Sequence, residues 1–302
     1  MITLRISQGS LDALRGAYKG LAEPRTLYLL QYSPAGCAAS CTFCAQARGG
    51  DRLGRIPWPA ISLQEIVSAG LEGFTRICLQ TVLKPGFLEE AALIVKALSG
   101  KGLPIGLAST PAPTYWLEEL KRLGVDFLGV GLDAFTPRIH LKVSKPYPWA
   151  TYIDYTRRAL RVFGPGHVYV HLVAGLGETP REALRLLDML YGMGARAALF
   201  PLVSTRRPWK TLVDKRYYRR LQLAAWLLNT GRRPSDFFTE RLEPTEKLLG
   251  IKGLEHAFLT QGCPGCNRPF YTERPGDMYN YPSPALLGKN LEAAMREAGL
   301  KR

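Results

Sequence analysis

The 302-residue chain carries 40 Lys and Arg against 25 Asp and Glu, a formal charge of +15. No stretch approaches ~18 uninterrupted apolar residues, which argues against a membrane span, and residues 1–20 lack the apolar core of a signal peptide. A cytoplasmic, reducing location is expected, where six cysteines point to metal and not to disulfides.

In chain order, residues 1–25 are expected to form a helical extension, with its helix over 11–19. The run 26–32, T-L-Y-L-L-Q-Y, is apolar without a helical stripe, which predicts a buried strand. Directly after it, residues 36–44 are G-C-A-A-S-C-T-F-C, placing Cys37, Cys41 and Cys44 in one short loop. A proline-rich link over 56–61 cannot be regular helix, and Ser62 followed by Glu65 predicts a capping box at the next helix. From there the pattern alternates, with strands expected at 75–82, 104–109, 127–132, 168–174, 197–203, 236–239 and 257–260. Helices are expected at 88–99, 115–123, 151–162, 181–191 and 215–229. Counting the first strand gives about eight βα units, so the expected class is α/β: a parallel (βα)8-type or partial TIM barrel over 26–260, then a metal-binding extension over 261–302. Functional side chains then belong at the C-terminal ends of the strands, where the three-cysteine loop already lies.

Three thiols, not four, is the informative number. Closed structural zinc and ferredoxin-type sites take four protein ligands, so this loop leaves one metal position open. The bland alternatives are a loop of buried cysteines or a zinc knuckle completed from elsewhere. A second metal half-site is offered by Cys263-Pro264-Gly265-Cys266, a C-x2-C after an expected strand with a Pro-Gly pair for its tight turn; a redox or incidental pair is its alternative. Cys78, on the second barrel strand, is either a core residue or a third ligand to that same metal. Histidines number only four, which leaves little for acid–base catalysis.

The Cys37-x3-Cys41-x2-Cys44 spacing, with Phe43 before the last thiol, resembles the cluster loop of the radical S-adenosylmethionine (SAM) enzymes. The resemblance implies a 4Fe-4S cluster on these three cysteines, with SAM on the fourth iron. It also implies roles at the strand ends. Gln80 and Thr81 fall where this family binds the SAM amino group, although the usual Gly-Gly-Glu is absent. Asp133, in G-L-D-A, falls where biotin synthase-like enzymes place a carboxylate against the ribose; a helix-start Asp is the alternative. Gly175, Leu176, Gly177 and Glu178 match a G-L-G-E turn that supports the adenine side in biotin and lipoyl synthases. Arg158, with Arg157 beside it, is a candidate cation for the SAM carboxylate, although helix-surface arginines are commonly solvated.

The likeness is closest to the biotin and lipoyl synthase branch. Cys78 matches a biotin synthase cluster ligand, but Gly106 and Tyr169 stand where its other cysteine ligands belong, which argues against that cluster. The C-terminal C-P-G-C-N-R-P-F-Y-T-E-R-P-G run looks like that of two-component lipoyl synthases, and the absence of a cysteine before Cys37 fits that type. Membership would imply sulfur insertion at C6 and C8 of an octanoyl group on a carrier-domain lysine, with the sulfur from a second iron–sulfur cluster on Cys263 and Cys266. The implied partners are a second radical SAM subunit, the octanoylated lipoyl-carrier domain and a low-potential electron donor. The rival readings are another radical SAM reaction, biotin synthase-like or cofactor-maturing, and a zinc-dependent module binding nucleic acid or protein. The basic residues are spread along the chain without a nucleic-acid-binding motif, so the charge is expected to serve an acidic protein partner.

Overall fold

The structure, a computed structural model, describes residues 2–202 and 213–300. Strand β1 (Thr3–Ile6) leads into helix α1 (Gln8–Leu14), and β2 (Thr26–Gln31) begins the barrel. A small hairpin, β3 (Arg52–Leu53) and β4 (Ile56–Pro57), and β5 (Ala60–Ser62) precede α2 (Leu63–Ser68), which starts at the expected Ser62–Glu65 capping box. Strands and helices then alternate: β6 (Arg76–Gln80), α3 (Phe87–Ser99), β7 (Ile105–Ser109), α4 (Thr114–Arg122) and β8 (Val125–Asp133). After α5 (Pro137–Lys142) and α6 (Trp149–Phe163) come β9 (Val168–Ala174), α7 (Pro180–Gly192), β10 (Arg196–Pro201) and α8 (Lys215–Asn229). Two short helices, α9 (Pro284–Gly288) and α10 (Leu291–Ala298), end the described chain.

One eight-stranded sheet runs in the order β10-β9-β8-β7-β6-β2-β1-β5. From β2 to β10 every neighbouring pair is parallel, and each strand lies beside the next barrel strand in sequence. That is the winding of a partial (βα) barrel: parallel neighbours require crossover helices, and a constant crossover hand puts those helices on one face. The β2 edge is covered by β1, antiparallel to both β2 and β5.

Three expectations change. The segment before β2 is not only helical, because β1 joins the sheet. Its helix starts at Gln8, capped by the Ser7 hydroxyl, and ends early where Gly16 turns the chain at φ 65°. The expected strands at 236–239 and 257–260 are instead 3-10 turns, Pro234–Asp236 and Leu254–Phe258, with isolated bridges from Phe238 and Leu259. Proline lacks the donor a ladder needs, and these short apolar runs bury Phe238, Ala257 and Phe258 from turns instead. The array therefore holds six parallel strands. Val203, the expected end of β10, lies outside the described residues.

The two faces of the array differ in chemistry. Toward the helices, Leu27, Leu29, Ile77, Leu79, Ile105, Leu128, Val130, Val170 and Leu172 are fully buried or nearly so and form the main core. Each contributes on the order of 2 kcal/mol by burial. The alternate residues Cys78, Gln80, Ala108, Phe127, Asp133, Tyr169, His171 and Phe200 face the other way and are only partly buried, so they line an accessible lumen. The last segment closes on the barrel through Arg219 of α8, which is 1% exposed. Its guanidinium binds Glu297 at 2.9 Å, Gln222 at 3.0 Å and the carbonyls of Met278 and Tyr279. Arg219 and Arg220 thus spend their charge inside the fold, Arg220 pairing with Glu243 at 2.5 Å.

Candidate active site

At the mouth of the lumen, the loop after β2 is folded back on itself. Gly36, at φ 80°, brings the chain so close that a Cβ there would lie 2.4 Å from the Gly49 nitrogen, so only glycine fits. The Cys37 N–H donates to the Gln46 carbonyl at 2.8 Å, and the Leu83 N–H donates to Cys37 Sγ at 3.2 Å, tying the loop to the end of β6. On the other side the Thr42 N–H donates to the Val143 carbonyl at 3.1 Å. Phe43 packs with Ala134, Val173 and Leu176, which anchors the loop over the ends of β8 and β9.

All six cysteines are free thiols. Burial pushes the Cys41 thiol up to about 12, with Lys145 pulling it down, and burial also raises Cys44. A thiol held neutral by burial is converted to a ligand when a metal takes its proton's place. Among the described residues, no three His, Cys, Asp or Glu side chains stand at metal-coordinating spacing. The fit therefore rests on donor chemistry and loop placement: three reduced thiols, two of them accepting a backbone N–H (Cys37 from Leu83, Cys44 from Gln46), beside a buried cation. These suit a thiolate-bound cluster with Cys37, Cys41 and Cys44 as its ligands.

That cation is Lys145, which the sequence reading missed. Its Nζ lies 2.6 Å from Asp133 Oδ2 and 5.2 Å from the Tyr152 ring centroid, and its side chain is 5% exposed. Burial works to lower the Lys145 pKa, but the Asp133 carboxylate overcomes this and leaves it raised. Asp133 and Ser144, at φ 64° and 55°, both hold left-handed backbone rare for residues other than glycine. No local pattern marks Lys145; its importance comes from the turn that returns it to the end of β8.

The other expected residues take varied places. Thr81 donates its hydroxyl to the Ala108 carbonyl at 3.1 Å, a link between strands, while Gln80 lies on the lumen face of β6. Gly175 and Gly177 turn at φ 101° and 110° and bury Leu176 between them. Glu178 folds back so that its Oε1 accepts from Gly175 N at 2.7 Å and Tyr217 Oη at 3.1 Å, while its Oε2 is buried without a partner. Arg158 is not brought to the mouth: its guanidinium is held by Asp154 at 2.8 Å, the Ala112 carbonyl at 2.8 Å and Thr114 Oγ1 at 3.2 Å, and Arg157 is exposed. An i,i+4 carboxylate and a neighbouring loop compete for the guanidinium and win.

Cys263 and Cys266 lie at the opposite end, under the N-terminal ends of β2 and β6. Arg76 donates from Nε to the Pro264 carbonyl at 3.0 Å while its two Nη atoms bind Asp126 at 2.8 Å each. Asn267 bridges to Arg25 N and the Glu23 carbonyl at 3.1 and 2.8 Å. A surface cavity of about 380 Å³ beside Gln8, Tyr18 and Phe270 is lined by no cysteine, and one of about 180 Å³ is lined by Cys266 and Asn267.

Comparison with known proteins fits this arrangement. The profile of the radical SAM superfamily matches residues 32–190, more than half of the chain. The chain belongs to the radical SAM superfamily. It is a radical SAM enzyme, and the family implies a 4Fe-4S cluster and SAM. A probable dual-specificity RNA methyltransferase, RlmN, of Synechococcus sp. is 26% identical over 203 residues, covering 60% of this chain and 58% of the relative. Its counterpart in Synechococcus elongatus matches equally, over 56% of that protein. The chain thus spans less than three fifths of the curated relatives it matches. Among solved structures, methylornithine synthase (PylB) superposes with a TM-score of 0.51 at 16% identity, covering 75% of this chain and 68% of that one. The hydrogenase maturase HydG from Carboxydothermus hydrogenoformans gives 0.52 at 18%, covering 70% and 53%. Both likenesses show the radical SAM fold alone, and the named curated relatives are methyltransferases, not lipoyl synthases. Among the described residues, no helix is long and apolar enough to cross a membrane.

Proposed function

We propose that this radical SAM enzyme inserts sulfur, as one subunit of a two-component lipoyl synthase acting on an octanoyl group attached to a carrier-protein lysine. The observation that carries the reading is the seat of the C-terminal C-x2-C loop: its thiols lie beneath the same lumen that the three-cysteine loop caps, so an acyl chain in the lumen lies between two thiol sites. When bound, the 4Fe-4S cluster and SAM supply hydrogen abstraction from an unactivated carbon, and a second cluster on Cys263 and Cys266 supplies sulfur.

The chain's own residues bind, orient and exclude water. Lys145 offers a buried ammonium at the mouth for a carboxylate, and Asp133 an acceptor for hydroxyls. Gln80 and the Gly175–Gly177 turn flank the same opening. In the lumen Gly106 and Ala108 leave room beside Phe200 and Tyr169 for a slender apolar chain, from which the floor loop keeps solvent, while the space at Gly129 is filled by Ala108 and His171. Lumen His171 is held neutral by burial, its pKa lowered to about 4, so it adds no cation beside an acyl chain.

The names of the curated relatives favour a second reading, methyl transfer to RNA, for which the charge of +15 would serve phosphate contacts. The test is product analysis. The anaerobic, reconstituted enzyme is given SAM, a low-potential reductant and an octanoylated carrier domain, with and without the second subunit. Intact-mass measurement of a sulfur added to the octanoyl group supports the proposal; an unchanged acyl chain together with methylated RNA in the parallel assay replaces it.

A further inference from the structure

Cys78 belongs to neither cysteine motif, and the structure gives it company. It is the register partner of Tyr28 on β2 and of Gly106 on β7, and it points into the lumen two residues along β6 from Arg76, on the same face. Arg76 is the residue that grips the Pro264 carbonyl between Cys263 and Cys266, so strand and loop are locked together at this level. Tyr28, beside Cys78, accepts from the Arg268 N–H at 2.8 Å, which leaves its hydroxyl hydrogen free for Cys266 Sγ, 3.4 Å away. Cys78 and Cys266 both pack against the apolar group that contains Tyr28 and Tyr271, as does Cys37 from the mouth side, and Cys263 stands close enough to Cys78 and Cys266 for their charges to interact.

Two further features suit a metal better than a plain core. Gly106 has no left-handed backbone, and a Cβ there would meet only ordinary contact, 3.5 Å from Arg76 Nη1. Space beside Cys78 is thus left open where neither backbone conformation nor a clash demands it. Two guanidiniums also stand by the thiols. Arg268, at φ 35°, is held by the carbonyls of Gln261 and Leu199 at 2.7 and 3.3 Å and lies 3.9 Å over the Phe200 ring. Arg76 shares its charge with Asp126 at 2.8 Å, whereas no carboxylate is paired with Arg268 among the ion pairs of the described residues. The positive charge of Arg268 beside the thiols therefore suits a thiolate-bound cluster, which is anionic.

We infer that Cys78, Cys263 and Cys266 are the three protein ligands of one iron–sulfur centre at the barrel floor, with Arg76 fixing the loop and Arg268 balancing the centre's charge. The inference rests on the second-cluster reading above and adds the strand ligand and the charge partner. Each thiol gives its proton to solvent as its sulfur–iron bond forms. The remaining metal position has no cysteine to fill it, since the described thiols other than these three sit at the mouth.

The test is anaerobic reconstitution of the full chain with iron and sulfide, with iron and acid-labile sulfide counted and electron paramagnetic resonance recorded with and without SAM. The wild type is expected to hold about eight irons, and Cys78→Ser and the Cys263→Ser/Cys266→Ser double variant about four each, with the SAM-responsive signal of the mouth cluster retained in both. That retained signal reports that the variants are folded; Cys78→Ala serves as the second variant if serine fails to fold. About eight irons in both Cys78 variants overturns the inference and leaves the second cluster standing. About four in the wild type, unchanged in the double variant, overturns the second cluster and the inference with it; stoichiometric zinc at the floor does the same. Arg268→Gln is expected to lower the reduction potential of the floor cluster and not that of the mouth, because reduction adds negative charge. An unmoved potential overturns the charge-balancing role.

Discussion

The mouth and the floor of this barrel hold three thiols each, assembled in opposite ways. At the mouth, Cys37, Cys41 and Cys44 come from one loop of eight residues, and the fold has only to close that loop and bring Lys145 beside it. At the floor, Cys78 comes from a strand and its companions from a loop 185 residues later, held in place by Arg76, Tyr28 and Asn267. From Cys78 to Leu83, where the mouth loop is tied, is about 16 Å of extended chain. Local assembly makes the mouth tolerant of changes elsewhere; distant assembly makes the floor depend on the whole fold.

The largest effect tests that independence. Cys41→Ala removes a mouth ligand and is expected to cut SAM cleavage at least ~100-fold, since even second-sphere losses at metal sites reach that size. The floor iron is expected to persist, as iron counts on the variant will show; loss of both irons would mean the two sites are built together. Next in size is Lys145→Met, which leaves Asp133 buried without its cation. Chemical denaturation is expected to show a loss of about 3 kcal/mol, and Lys145→Arg to restore part of it. SAM affinity, measured calorimetrically, should fall further than stability predicts if the ammonium also faces the ligand.

Arg76→Met addresses the floor. Asp126 is 32% exposed by its side chain, so the lost ion pair is partly screened, and a cost of about 2 kcal/mol is expected. Hydrogen exchange should speed at residues 263–268 and leave the mouth loop unaffected. Equal acceleration at both ends would erase the contrast between them.

What the sequence made legible follows the same division. The cluster loop, the capping box at Ser62 and the strand–helix alternation through β10 are local patterns, and the structure contains them. The placement of Asp133 at the end of β8 was also legible, because a strand end is a position along the chain. Lys145 was not, since its meaning depends on a turn at Ser144 that no residue type announces. Arg158 drew attention by chemistry, but its partners Ala112 and Thr114 come from another loop. The final two expected strands failed because two or three apolar residues satisfy a buried 3-10 turn as well as a strand; in the first of them Pro234 opens the turn.

The smallest effect probes the layer between mouth and floor. Burial lowers His140 and His171 to about 4, with Lys145 acting on both and Arg268 on His171. In the unfolded chain a histidine titrates near ~6.5, so between these values the unfolded state binds more protons and stability rises with pH. The native state is therefore expected to lose on the order of 2 kcal/mol as pH falls from about 6.5 to about 4, with no loss from these groups above that window. Denaturation midpoints of His140→Asn and His171→Asn across the window divide the effect. His140 sits at the mouth, packed on Trp149 and Tyr152 with its Nε2 unpartnered; His171 lies in the lumen within reach of both charge sets. If Arg268→Gln raises the acid tolerance of the chain carrying His171 and leaves the His171→Asn variant unmoved, the floor's charge reaches the middle of the lumen. If neither changes, the two ends are electrically separate.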